Sequence, residues 1–212
     1  MTARIELIGV SKAFPGVQAL DNVDFAVEAG EVHALLGENG AGKSTLIKVM
    51  TGAIRSDGGV IMLDGRQIKP ESPGAAREAG IATVYQEVNL IPTMSVTKNL
   101  ALGRLPRRRT GFVDWRRASE MARQRLARLG LDIDLERPLG SYSVAVQQLV
   151  AIARALEEDA RVLVLDEPTA SLDAHETQTL FDILRDLKKR GLAIKFEEYT
   201  PLGVYPVWID VD

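Results

Sequence analysis

"VHALLGENGAGKSTLIKVM", Val32 to Met50, decides how the rest of the chain is read. Its opening run is short and apolar, as a buried strand is, and "KSTLIKVM" carries helical spacing with Gly52 just beyond it in a helix-ending position. Between them "GENGAGKST" fits the spacing G-x-x-x-x-G-K-[ST]. Strand, glycine-rich loop and helix in that order make a phosphate cradle. Glycines 37, 40 and 42 let backbone N–H groups turn inward with no Cβ in the way, and the helix N-terminus adds partial positive charge. The residues concerned are Gly37, Glu38, Asn39, Gly40, Ala41, Gly42, Lys43, Ser44 and Thr45. Lys43 would reach the β- and γ-phosphates of a nucleotide, and Ser44 would ligate Mg²⁺. A chance glycine-rich turn is the competing reading, and the strand before and helix after weigh against it.

Working outward, residues 4 to 37 read as short strands separated by turns, and Asp64-Gly65 within "GGVIMLDGRQI" marks a hairpin. The middle, 88 to 160, reads as helical. Asp114 is placed to cap a helix whose apolar face holds Trp115, Ala118, Ala122, Leu126 and Leu129, and "AVQQLVAIARALEE" makes another. "RVLVLDEP" is almost wholly apolar, the mark of a central strand covered on both faces. "HETQTLFDILRDLKKRG" is a helix with Leu180, Leu184 and Leu187 inward, basic residues in its last turn and Gly191 past it. The pattern is an α/β core with a helical insertion.

Bulk properties narrow the function classes. The 212 residues are 46% hydrophobic and 26% charged, ordinary for a globular domain. A net charge of −3 argues against nucleic acid as the dominant partner, and no cysteine is present for disulfides or thiolate metal sites. No run approaches the ~20 apolar residues of a membrane helix, and the start lacks a signal-peptide core. Membrane association is therefore expected to go through a partner.

Asp166 closes the apolar strand, where it could hold Mg²⁺ through water, and Glu167 beside it could orient or deprotonate an attacking water. Alone, such a pair is as often a solvated strand end. Together with the phosphate loop it reads as a phosphoryl-transfer site.

"GENGAGKST", "VYQEVNL", "SYSVAVQQ" and "VLVLDEPTASLD" stand in the order and spacing of ATP-binding cassette ATPases, the motor subunits of ABC transporters, and residues 4 to 194 resemble that family. The wording is most similar to the carbohydrate-import branch, in particular the N-terminal cassette of ribose- or galactofuranose-type importers. The resemblance implies a P-loop NTPase core, a mostly parallel sheet flanked by helices, with an N-terminal antiparallel β subdomain and a helical subdomain inserted at 88–160. It implies ATP and Mg²⁺ as cofactors. Phe14 would stack on adenine, the alternative being an apolar core residue. Gln86 would touch Mg²⁺ or the attacking water. Ser143 and the amides of Val144 and Ala145, at the head of a helix opening near Val146, would bind the γ-phosphate held by a second cassette, the alternative being a plain helix cap. Val144 and Ala145 replace two customary glycines, and Val146 a customary glutamine. Ser171 to Asp173 would lie across the dimer interface. Implied partners are a second cassette arranged head to tail, membrane permease subunits and, indirectly, a periplasmic or extracellular sugar-binding protein, with the chain peripheral on the cytoplasmic face and no nucleic acid.

Two features stand apart. Arg104, Arg107, Arg108, Arg109, Arg116 and Arg117 form a basic cluster, read first as solvated, second as a contact to the membrane subunit or lipid headgroups, and third as a nucleic-acid site. The family also places a switch histidine after the "LKKRG" helix, whereas the two histidines here are His33, expected to pack in its strand, and His175, expected to be solvated. Residues 195–212 offer Lys195, Phe196, Glu197 and Glu198 in that region. Three readings of this ending stay open: a truncated or frame-shifted cassette, a divergent native strand in "VYPVWIDVD", or an appended recognition segment. The expected function is an ATP-hydrolysing motor of a monosaccharide importer. The alternatives are a nucleotide-binding module with weak turnover and a soluble cassette ATPase unconnected to transport.

Overall fold

The computed structural model describes residues 3–35, 40–85, 90–156, 159–166, 168–169 and 171–197. The chain divides into two compact units, one of Met1–Gln86, Glu157–Ala170 and Leu184–Asp212, the other of Glu87–Leu156 and Ser171–Ile183.

The first unit holds two sheets. In one, β1 (Ala3–Phe14), β2 (Val17–Glu28), β4 (Gly58–Leu63) and β5 (Arg66–Ile68) run antiparallel in the order β2-β1-β4-β5. In the other, β3 (Val32–Leu35), β6 (Ile81–Val84), β7 (Val162–Asp166) and β8 (Ala193–Glu197) run parallel in the order β3-β8-β7-β6. The antiparallel sheet is the N-terminal β subdomain expected from the sequence. Its β4–β5 hairpin turns on Asp64 and Gly65, both at positive φ (48° and 70°), the mirror-image turn whose twist suits adjoining strands.

Helix α1 (Lys43–Met50) turns Leu46, Ile47, Val49 and Met50 inward. They share one core with Ile5, Leu7 and Val27 of the antiparallel sheet and with Ile81, Val162 and Val164 of the parallel sheet. Four consecutive residues of β7, Val162 to Leu165, are 0% exposed, as its unbroken apolar run requires. A helix not read from the sequence, α2 (Pro73–Ala79), precedes β6. Ser72 caps it by accepting from the Ala75 N–H at 3.1 Å, Pro73 opens it and Gly80 closes it in the left-handed conformation. All three were local signals.

The second unit contains α3 (Val96–Ala101), α4 (Trp115–Ala127), α5 (Val144–Ala155) and the first part of α6 (Ala174–Lys189). Asp114 caps α4 through the Arg117 N–H at 3.1 Å, and Ala118, Ala122 and Leu126 are buried as expected. Trp115 departs from expectation: it is 46% exposed, with the Lys98 ammonium 5.9 Å from its ring centroid. As the first residue of the helix it lies where the apolar stripe runs out. Leu180, Leu184 and Leu187 of α6 are buried as read.

Three charged residues of the first unit have energetic consequences. Asp64 accepts from Arg4 and from Arg161, each at 2.6 Å, tying the hairpin to the start of β1 and to the approach to β7. Asp57 accepts from the Ala13 N–H at 2.8 Å and from Lys12 at 2.6 Å. The third is Lys195. Strand β8 continues past Ile194 to Glu197, pairing Lys195 with both His33 and Val164, and the Lys195 side chain is 0% exposed with Nζ 5.0 Å from the Phe25 ring centroid. A lysine in a central strand retains a desolvation cost that an apolar residue of similar volume avoids.

One outcome is expected. At Asp57 the hydrogen bond from the Ala13 amide, then Lys12, lowers the carboxyl pKa. At Asp64 burial opposes the charge, but Arg4 and Arg161 outweigh it and the net direction is again downward. A depressed carboxyl adds stability that is complete above its unfolded pKa of about 4 and is lost as pH falls through the lower folded value. Urea midpoints should therefore fall as the solution is acidified through the carboxylate range, and Asp64→Asn should flatten that fall; an unchanged slope would count against the network.

Candidate nucleotide-binding site

Of the phosphate loop, Gly40 to Thr45 are described, while Gly37, Glu38 and Asn39 lie outside the described residues. Gly40 and Gly42 both have φ of 85°, a left-handed conformation that L side chains rarely adopt. At Gly42 a Cβ would also run into the Ala19 carbonyl oxygen of β2 and sit 3.1 Å from Leu20 Cδ2. At Gly40 a Cβ would meet nothing within 4 Å, so that part of the loop faces open space. Gly42 caps α1 without a side chain, and its carbonyl accepts the Leu46 N–H at 2.9 Å. No acidic side chain occupies the first turn of α1, and the positive end of a helix favours an anion. Lys43, the first helical residue, is 8% exposed, its stem buried at the mouth of the loop; Ser44 is exposed and Thr45 half-buried.

The strand register brings the acid to the same edge. Leu35 pairs with Glu197 and Glu197 with Asp166, so the last residues of β3, β8 and β7 form one row across the carboxyl ends of the parallel sheet. With neighbouring strands about 4.8 Å apart, Asp166 stands about 10 Å across the sheet from the strand that feeds the phosphate loop. Ligands in open parallel sheets bind beyond this edge. The hydroxyl of Ser44 and the half-buried carboxylate of Asp166 are hard oxygen donors that suit Mg²⁺. Gln86, the third expected metal contact, and Glu167, the expected base, lie outside the described residues.

One link was missed in the sequence. Thr51, fully buried at the end of α1, donates to the Ile47 carbonyl at 2.8 Å and accepts from the Tyr85 hydroxyl at 3.1 Å. The residue preceding Gln86 is thereby anchored to the far end of the phosphate-loop helix. No local signal announces it, since the partners are 34 positions apart.

Phe14 ends β1 and is 43% exposed, with the Lys12 ammonium 5.7 Å from its ring centroid, so the alternative that it is a core residue is set aside. His33 is packed as expected, edge-on to Phe25 at 5.0 Å with Nδ1 3.1 Å from Glu31. His175 is exposed in α6, also as expected.

The remaining candidates belong to the second unit. Ser143 is the N-cap of α5 and accepts from the Val146 N–H at 3.4 Å. The helix opens at Val144, earlier than the expected Val146, because Ser143 satisfies the cap without a glycine pair. Val144 is exposed and Ala145 buried, and both amides fall in the first turn, where intrahelical acceptors are lacking. Asp173 has a structural duty that the sequence reading overlooked. Its carboxylate accepts the Glu176 N–H at 2.8 Å while Glu176 accepts the Asp173 N–H at 3.3 Å, a reciprocal cap at the start of α6.

A parallel sheet with a phosphate loop after one strand and an acid ending another defines the P-loop NTPase fold. The family model described as ABC transporter matches residues 20–170, and the chain belongs to that family. The galactofuranose transporter ATP-binding protein of Escherichia coli (strain K12) is 51% identical over 199 residues, which is 94% of this chain and 40% of that protein. The ribose import ATP-binding protein of Rubrobacter xylanophilus is 50% identical over 208 residues, 96% of this chain and 42% of that protein. A crystal structure of the ADP conformation of an ATP-binding cassette of an ABC transporter superposes with a TM-score of 0.81 at 27% identity, covering 95% of this chain and 83% of that one. The chain thus spans about two fifths of the length of the curated relatives it matches.

Asp173→Ala removes a charged acceptor 2.8 Å from the Glu176 N–H while leaving the Asp173 N–H bonded to Glu176, and Ser143→Ala removes a neutral acceptor at 3.4 Å, each costing about 0.5–2 kcal/mol of stability. Chemical denaturation should show Asp173→Ala as the larger loss; equal or negligible losses would contradict the capping geometry.

Proposed function

We propose that this chain is the ATP-binding and ATP-hydrolysing motor cassette of an importer for a monosaccharide. The observation that carries the reading is the row formed by Leu35, Glu197 and Asp166, which sets an acid along the same sheet edge from which the glycine loop and buried Lys43 depart. The wording of the motifs and the sugar-import relatives support the transport assignment.

In this reading the loop amides and Lys43 hold the β- and γ-phosphates, and Phe14 stacks on the adenine. Ser44, Asp166 and Gln86 would hold Mg²⁺, which would screen the phosphate charge. Glu167 orients a water and takes its proton as the oxygen attacks the γ-phosphorus, so that the bond to the β-phosphate oxygen breaks and ADP and phosphate leave. Ser143 and the first amides of α5 supply the γ-phosphate contacts of a second cassette, and Ser171 to Asp173 face that interface. A single cassette holds only half of each such site, which makes head-to-tail pairing part of the mechanism. Closure of the pair would move permease subunits, to which a sugar-binding protein delivers the substrate, with the cassettes on the cytoplasmic face. None of the described helices is long and apolar enough to cross a membrane.

A second reading, nucleotide binding with slow turnover, is favoured by the histidines: His33 is engaged with Glu31 and Phe25, and His175 sits on α6, so neither serves as the family's γ-phosphate switch.

ATP titration beside a phosphate-release assay separates the two. The chain should bind ATP and release phosphate slowly, and Lys43→Ala should abolish tight binding. Unchanged affinity in Lys43→Ala would reject the site, whereas turnover at rates ordinary for transporter motors would reject the slow-turnover reading alone.

A further inference from the structure

Between α3 and α4 the chain forms a short hairpin that the nucleotide chemistry does not use. Arg107 bridges Val113 in antiparallel fashion. The Arg108 N–H donates to the Phe112 carbonyl at 2.8 Å, the Gly111 N–H to the Arg108 carbonyl at 2.9 Å, and the Asp114 N–H to the Pro106 carbonyl at 2.8 Å. The Arg107 guanidinium folds back onto the Gly111 carbonyl at 2.9 Å. A turn with this many hydrogen bonds is a built element.

What it displays is unusual for a solvated loop. Arg107, Arg108 and Arg109 are all exposed. Beside them Phe112 is 76% exposed, and Leu105 and Trp115 also show large apolar surfaces to solvent. The one acid of the hairpin, Asp114, is occupied in capping α4 and lies 3.8 Å from Arg108. The ammonium over the Trp115 ring adds another positive group. The patch is strongly cationic although the chain as a whole carries −3.

We propose that this hairpin docks onto an anionic phospholipid surface. Guanidinium groups pair with headgroup phosphates, and an aromatic ring flanked by them enters the boundary between headgroups and acyl chains, where an apolar body with cationic neighbours is best accommodated. A nucleic-acid groove would need the arginines along a concave track with bases stacking between them; here they crown a turn. The proposal does not depend on the transport reading, because lipid association needs no nucleotide.

The test is flotation of the full chain with phosphatidylcholine vesicles, with and without phosphatidylserine. Binding should appear with phosphatidylserine, be absent without it, and fall with added salt. Arg108→Gln with Arg109→Gln should weaken it about fivefold per arginine removed, while Arg108→Lys with Arg109→Lys should retain it. Phe112→Ser should weaken binding and make the remainder easier to strip with salt. Thermal melts of all variants establish that the hairpin substitutions leave the fold intact. Equal flotation with neutral vesicles, wild-type binding by the double glutamine variant, or release from the vesicles by equimolar single-stranded RNA would each overturn the proposal.

Discussion

Helix α1 is placed under two opposed demands, and the first unit is organised around meeting both. One face buries Leu46, Ile47, Val49 and Met50 in a core shared with both sheets, while its N-terminus must stay open so that its amides can meet an anion. Burial alone would cover the whole helix. The conflict is resolved at Gly42, where β2 approaches so closely that the Ala19 carbonyl leaves no room for a Cβ. The strand thus grips the loop from one side and leaves Gly40 facing open space. Thr51 and Tyr85 hold the opposite end.

The two units divide the candidate site residues. The phosphate loop, Asp166 and Phe14 fall in one, and the α5 N-terminus and Asp173 fall in the other. In both, the proposed ligand contacts fall at helix starts: α1 without a side-chain cap, α5 capped by Ser143, α6 capped reciprocally through Asp173 and Glu176. A cap satisfies one or two of the orphan amides and leaves the others for a ligand. The replacement of two customary glycines by Val144 and Ala145 is therefore compatible with the backbone chemistry of the segment, since Ala145 packs inward and Val144 points to solvent.

Much of this was legible in the linear chain. The phosphate loop, the buried strand ending in Asp166, the Asp64-Gly65 turn and the Asp114 cap all depend on residues adjacent to one another, so their chemistry is written locally. Misreadings arose where a local pattern has a boundary set elsewhere. Trp115 fits the apolar spacing of α4, but spacing does not say where the buried stripe ends. Phe14 admitted two readings until its exposure was known. The α2 helix carried Ser72, Pro73 and Gly80 as signals and was passed over because it is short.

By itself the sequence determined the kind of machine: a loop whose glycines favour left-handed backbone, an acid at the end of an unbroken apolar strand, and motifs in a fixed order. Only the tertiary structure decided that β8 inserts between β3 and β7, because that order depends on pairing β3 with a strand 162 positions further along the chain, Val32 with Ile194. That insertion aligns Leu35, Glu197 and Asp166 in one row and places Lys195 in the core. It likewise decided that the arginines near position 108 crown a hydrogen-bonded turn beside an exposed phenylalanine, a juxtaposition that a run of charges in the sequence does not contain.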